Sequence, residues 1–423
     1  MKENLLHYIW KLKLFLSKNL RTINGEIIEI ISVGTENFNS GPDFLNAKIR
    51  INNQLWVGNV EIHINSSNWY AHNHETDENY DAVILHVVWE DDIEIFRKTG
   101  EVVATFELKN YISKDLLNKY EQLFSKNKKW INCESDNNTI NTFVFGHWFE
   151  QLYFERLAFK SEQIQQILTS INNNWEATLF ILLAKNFGLK INAESFMSFA
   201  NSFDFSIVRK VSSNSEQLEA LFFGQAGLLS SNYESLYFKK LEENYNYLKL
   251  KFKLSPISKG QVQFFRLRPN NFPTIRLSQL ASLYHNNQNL FSKIIEINTI
   301  EGFYDLFNVS TSTFWETHYT FEKESKTSVK KVTKSFVDLL LINTIIPLKF
   351  MYLKSLGESD YSLVLQIIEQ IKPEKNIIIS KFNELKIKTN NAFETQALLQ
   401  LKNEYCNKQL CLQCSIGKEL LDH

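Results

Sequence analysis

Residues 41–89 read GPDFLNAKIRINNQLWVGNVEIHINSSNWYAHNHETDENYDAVILHVVW, and the fold class follows from this stretch. Its apolar residues fall into three strand-like runs, about 44–52, 55–65 and 82–90, rich in β-branched and aromatic side chains. Asn52-Asn53 makes a tight turn between the first two. The connection SSNWYAHNHETDENYD, between the second and third, is too polar for a core. Upstream, EIIEIISVG (residues 26–34) alternates as a strand. MKENLLHYIWKLKLFL places Leu5, Ile9, Leu12 and Leu16 at helical spacing, a helix over 4–19. Downstream, IEIFRKTGEVVATFEL turns at Thr99-Gly100 as a hairpin. The expectation is an α+β unit: a mixed sheet with one leading helix.

Four of the chain's nine histidines lie in this stretch: His63, His72, His74 and His86. Glu61 and His63 stand two apart on a strand, which points both side chains to one face, ~7 Å apart. His86 sits in the apolar run AVILHVVWE and should be buried. A buried imidazole left unpaired costs ~1–3 kcal/mol, so it needs a partner. His72 and His74 lie on the polar connection. If strands 55–65 and 82–90 are neighbours, that connection folds back over them. Glu61, His63, His86 and one or both of His72 and His74 then surround one ion. Imidazole and carboxylate suit Zn, Mn or Fe better than Ca. The plainer alternative is that His86 bonds a neighbour such as Tyr80 while the loop histidines are merely solvated.

The remainder of the 423 residues is helical in pattern. Such a length exceeds one compact core. Polar breaks at Ser125–Lys129 and Asn137-Asn138, then a Pro/Gly loop near 254–275, suggest units 1–125, 126–255 and 256–423. Lys+Arg 46 against Asp+Glu 47 excludes a strongly basic nucleic-acid binder, though not a local patch. No run of about 18 apolar residues suggests a membrane span. Lys11 and Lys13 interrupt what would otherwise resemble a signal peptide. The expected compartment is therefore the cytoplasm, where the four cysteines are thiols or metal ligands.

Three of those cysteines, Cys406, Cys411 and Cys414, form C-x4-C-x2-C near the C-terminus, and Cys133 is the fourth. Four thiolates are what a zinc or iron–sulfur site requires, and the pattern leaves the two open. The alternative is four small buried residues. Two basic elements stand out. FFRLRPNNFPTIR sets Arg266, Arg268 and Arg276 among aromatic residues, suited to phosphate or to interdomain packing. Lys323, Lys326, Lys330 and Lys334 would line one face of a helix, for a phosphate backbone or for solvent.

Asp43 followed by Glu61-Ile62-His63 resembles the PD-(D/E)xK phosphodiesterase superfamily, which opens one strand with Asp and carries acid-x-Lys on the next. The resemblance implies that Asp43 and Glu61 hold Mg²⁺ or Mn²⁺, with His63 in the lysine position handling the proton of the attacking water. It departs from the pattern in that histidine and in the polar loop replacing a helix. Some members clamp their domain with one early and three late cysteines around a cluster. The chain also resembles, over nearly its full length, a bacterial family of unknown function. That resemblance rests on LLHYIW, GPDF, GNVEIH, Trp69-x2-His72-x-His74, LHVV, EALFFGQAGLL, FRLRPNNFP and the final C-x4-C-x2-C-x2-G. The second resemblance brings no activity with it; the first, with the histidine cluster, leads to the expectation of a metal-dependent hydrolase, a phosphodiesterase or nuclease acting on nucleic acid, to which Arg266 and Arg268 would lend charge. The alternatives are an interaction protein with structural metal and a bound protein partner, or a small-molecule metalloenzyme.

Overall fold

The computed structural model describes residues 2–125, 129–135, 142–231, 233–258 and 260–422. The break at 126–128 and Asn137-Asn138 lie outside them. The chain forms two compact units: residues 1–145 together with 402–423, and residues 146–401.

The first unit is the expected α+β sheet. Helix α1 (Glu3–Leu12) is followed by β1 (Ile28–Ser32), β2 (Thr35–Glu36), β3 (Phe44–Ile51) and β4 (Gln54–Asn65). After the short α2 (Asn68–Ala71) come β5 (Val83–Glu90), β6 (Thr105–Glu107) and α3 (Lys114–Leu123). The sheet order is β1-β3-β4-β5-β6, with β2 also on β3. Pairing is antiparallel from β1 to β4 and parallel from β4 to β6. That switch matters for the site. Antiparallel β3 and β4 need only the Asn52-Asn53 turn, whereas parallel β4 and β5 need a crossover of about a dozen residues or more. The polar, histidine-bearing segment 66–82 is that crossover.

Helix α1 ends at Leu12, earlier than its periodicity suggests, because Lys13 adopts φ 52°. Leu5, Leu6, Ile9 and Trp10 are buried, but Leu12 and Leu16 are exposed. The buried α1 side chains meet Val60, Ile62, Leu85 and Val87 from one sheet face. Burying each large apolar side chain contributes ~1.5–3 kcal/mol. At Gly58 a Cβ would stand 2.4 Å from Ile84 Cγ2 and 2.6 Å from the Ala82 carbonyl, so glycine lets the crossover return close against β4. The turn near Thr99-Gly100 is present, but its arms meet only at the Phe96–Val102 bridge. The following residues leave to form β6 beside β5.

The second unit is helical. It contains α4 (Thr142–Ser170, which begins just before the unit boundary), α5 (Trp175–Phe187), α6 (Leu189–Asn201), α7 (Ser206–Val211), α8 (Ser215–Gln225) and α9 (Leu236–Phe252). Then follow α10 (Pro273–Asn286), α11 (Leu290–Glu296), α12 (Ile300–Leu306), α13 (Lys334–Leu340), α14 (Ile346–Ser355), α15 (Ser362–Gln370), α16 (Ile377–Glu384) and α17 (Ala392–Gln400). The loop 254–275 does not divide this half as expected. Residues from Tyr153 to Ala392 share one apolar core. Asn192 also fastens the loop to α6, donating to the Gln263 carbonyl (2.8 Å) and accepting from the Gln263 amide (2.7 Å).

A π-turn at Leu341–Ile345 joins α13 to α14 as one apolar helix, Lys334–Ser355, long enough to cross a membrane. Its most apolar window is 72% buried inside the protein. The expected lysine-lined helix is absent: residues 325–333 form no helix, and Lys330 is buried with its ammonium on the Trp315 and Glu316 carbonyls. Helix α18 (Ser415–Asp422) returns to the first unit and packs on α3.

Candidate metal centre

The β4–β5 register places Glu61 beside His86 and Ile62 beside Val87. Alternation then sends Ile62 and Val87 to the α1 side and Glu61, His63 and His86 to the other. The crossover covers this second face. Its start is held by Asp92, whose carboxylate accepts from the Ser66 hydroxyl (2.9 Å), the Ser67 amide (2.8 Å) and the Ser67 hydroxyl (2.7 Å). Burial works against the Asp92 charge, but these bonds outweigh it and hold the carboxyl down at about 2. Trp69, only 1% exposed, packs with Val83, Ile95 and Val103 and donates to the Phe96 carbonyl (3.2 Å). Its ring lies between those of His74 and His86. Asn73, at φ 60°, supplies the left-handed residue between His72 and His74, a conformation asparagine tolerates. The amide of His74 closes the turn on the Trp69 carbonyl (3.0 Å).

The donor atoms converge. His63 Nε2 is 3.1 Å from His72 Nδ1 and 3.5 Å from Glu61 Oε1. Glu61 Oε1 is 3.2 Å from His74 Nε2. Among the described residues, His63, His72 and His74 form the group whose potential ligand atoms all lie within 4.8 Å of one another. In a tetrahedral zinc site with bonds of ~2.0–2.1 Å, neighbouring donors stand ~3.3–3.4 Å apart. Glu61, His63 and His74 are buried, while His72 is exposed. His74 stacks on Tyr80 at 3.7 Å between ring centroids. The buried His74 Nε2 has no hydrogen bond of its own, its approach to Glu61 being close but off-axis.

His86 takes a different place from the one expected of it. Its Nε2 lies 2.8 Å from His63 Nδ1, the ring nitrogen facing away from the cluster. It thus orients His63. Asp43 is also displaced from the expected ligand set. Its Oδ2 accepts from the Ile62 amide (2.9 Å) and lies 3.4 Å from His7 Nε2, while its own amide donates to Glu61 Oε2 (3.1 Å). His7 and Glu3, on α1, were not singled out by the sequence reading. The signal lay in ENLLHYIW, where the i,i+4 spacing sets Glu3 3.8 Å from His7.

The electrostatics follow from burial and crowding. Burial first, then His86, His74, His72 and His7, push the His63 imidazole down to about 2. Burial and His74 push His86 down to about 3. Glu61 is raised, chiefly by burial, with Asp43 adding to it and His74 opposing. Burial resists the charging of His7, yet Asp43 and Glu3 outweigh it and raise its pKa. Two neutral imidazoles and a carboxyl kept from easy ionisation are groups that gain from a cation.

The other expected site residues lie elsewhere. Cys133, Cys406, Cys411 and Cys414 all fall in the first unit, and none of them is in a disulfide. Arg266 and Arg268 are exposed on the second unit. Arg276 is buried: it bonds Asn271 (2.6 Å) and Gln279 (2.9 Å), and its guanidinium carbon is 3.6 Å from the Phe336 ring centroid. It serves packing.

Fold and site together define an α+β sheet protein with a buried histidine–carboxylate cluster under a parallel crossover, followed by a helical region. The chain belongs to the family described as protein of unknown function (DUF2851), whose model matches residues 3–377. The match takes in the whole histidine cluster and Cys133 and ends before Cys406. Neither a curated protein nor a solved structure matches the chain.

Proposed function

We propose that this chain is a metal-dependent hydrolase whose reaction centre is the cluster on β4 and its crossover, with a phosphodiester, most simply in nucleic acid, as substrate. The carrying observation is the convergence of His63 Nε2, His72 Nδ1, His74 Nε2 and Glu61 Oε1 with contacts of 3.1–3.5 Å. Nitrogen-rich donors at that spacing suit zinc, or manganese. The three histidines would hold the ion. Such an ion polarises a phosphoryl oxygen and acidifies a water molecule. Glu61 is the proton acceptor: its carboxylate is raised by burial, as a general base requires, and oriented by the Asp43 amide. Asp43 and His7 position Glu61. His86 fixes His63 in the tautomer that leaves Nε2 unprotonated, the role of an outer partner to a ligating imidazole. Exposed His72 marks the side from which substrate approaches. The phosphodiester assignment rests on the pattern of Asp43 before β3 and Glu61-x-His63 on the neighbouring β4.

The test is metal analysis of the purified protein, joined to hydrolysis of a phosphodiester reporter and of single- and double-stranded DNA and RNA with added Zn²⁺ or Mn²⁺. The double variant His72→Ala/His74→Ala should lose the metal and the activity. Glu61→Gln should keep the metal and lose ~10²–10⁴ in rate. Full activity in Glu61→Gln would defeat the assignment. A second reading is supported by the burial of Glu61, His63 and His74 below 10% exposure: a closed structural ion that pins the crossover. Stoichiometric metal with no hydrolysis of any of these substrates, and a lower melting temperature on its removal, would select that reading.

A further inference from the structure

We propose that Cys133, Cys406, Cys411 and Cys414 form a second, four-thiolate metal centre that fastens the chain's last segment onto the sheet unit. The histidine cluster uses none of these side chains, so the proposal stands apart from the hydrolase reading. The four are far apart in sequence yet fall in one compact unit. The two segments that carry them touch directly. Asn132, beside Cys133, donates its side-chain amide to Cys411 Sγ at 3.4 Å, across 279 residues. Lys402 donates to the Trp130 carbonyl (2.9 Å) with its ammonium 4.7 Å from the Trp130 ring centroid. Cys133 and Cys411 pack against the same apolar cluster, which takes in Leu412 and Leu421 of the last segment.

The local backbone suits ligation. The Cys414 amide bonds the Cys411 carbonyl (3.2 Å), so C-x2-C is a tight turn. A Cβ at Gly417 would stand 2.1 Å from that carbonyl, which leaves room only for glycine where α18 begins. None of the four is in a disulfide. Burial, then Cys406, Cys414 and Cys411, raise the Cys133 thiol, and burial with Cys414 and Cys411 raises Cys406 to about 12. Cys133 and Cys406 thus stand close enough to the other thiols to feel their charge. The Lys402 ammonium eases the Cys406 charge only in part, and it also donates to the Trp130 carbonyl. A soft cation would offset that mutual repulsion, and four sulfurs suit zinc or an iron–sulfur cluster.

The experiment uses the full chain purified without chelator under nitrogen. A mercurial that binds thiols should release one equivalent of zinc as four thiols are consumed, or bleach a visible iron–sulfur absorption with loss of iron and sulfide. Cys406→Ser and Cys411→Ser should each lack that metal, while His72→Ala/His74→Ala retains it. After mercurial treatment the segment after Leu401 should become sensitive to limited proteolysis. Because a cysteine variant can misfold, the mercurial titration of the unaltered protein decides. Four thiols that react freely with no release of zinc, iron or sulfide would overturn the proposal, as would unchanged metal content in a folded Cys411→Ser protein.

Discussion

Acidifying the metal-free protein should weaken it through two particular histidines. His63 and His86 are held down to about 2 and about 3, against an ordinary 6.5. A base whose folded pKa lies below its unfolded one binds fewer protons when folded, so its stability contribution is complete above 6.5 and is lost as pH falls below it. Between pH 7.5 and 5.0 each such histidine removes about 2 kcal/mol, since the folded form stays neutral while the unfolded chain takes up a proton. Sharing one hydrogen bond, His63 and His86 together remove about 2–4 kcal/mol. His7 and Glu61 are both raised and act in the opposite sense, giving stability on the acid side. Bulk unfolding would mix these contributions, so the assay is histidine-selective ¹⁵N labelling read by long-range proton–nitrogen correlation. At pH 5.0 an ordinary imidazole is about 97% charged. His63 and His86, assigned from His63→Asn and His86→Asn, should keep the neutral nitrogen pattern there. Midpoints near 6.5 for both would refute the buried-pair geometry. Denaturant unfolding of His63→Asn beside the unaltered protein should then show an acid loss smaller by about 2 kcal/mol.

Other outcomes follow from the same structure. Removing the partner of His63 Nδ1 by His86→Ala should weaken metal binding ~10–100-fold by competition titration, with the metal still at the site; unchanged affinity would rule out its orienting role. In the second unit, Gly224→Ala would put a Cβ 2.1–2.3 Å from the Tyr245 ring, where α8 meets α9. It should cost ~1–3 kcal/mol by denaturant melting, and a neutral result would mean the pair separates easily. Lys349 donates to the Ile295 (2.8 Å) and Ile297 (2.7 Å) carbonyls at the end of α11. Lys349→Met should therefore cost ~1–3 kcal/mol and speed amide hydrogen exchange over α11.

Much of this protein was readable from local chemistry. Alternation over 44–65, the Asn52-Asn53 turn and the apolar run of β5 set the strands, because side-chain direction in a strand depends only on parity. Glu61 and His63 were for the same reason bound to share a face, and His86 bound to be buried with a partner. Spacing could not say which atoms meet. That His86 serves His63 rather than the shared donors depends on the parallel β4–β5 register, and register is a pairing between distant residues. His7 reaches Asp43 only because α1 packs on the sheet. The lysines of 323–334 show the limit from the other side: their helical spacing is real, but Lys330 is drawn onto carbonyls of the preceding turn and the segment forms no helix. The destination of the last 22 residues was likewise beyond periodicity, since Lys402 and Asn132 recognise partners more than 270 positions away. The sequence determined which residues must be hidden and which face they share; tertiary packing decided which hidden polar groups touch, because those contacts join segments with no local reason to meet.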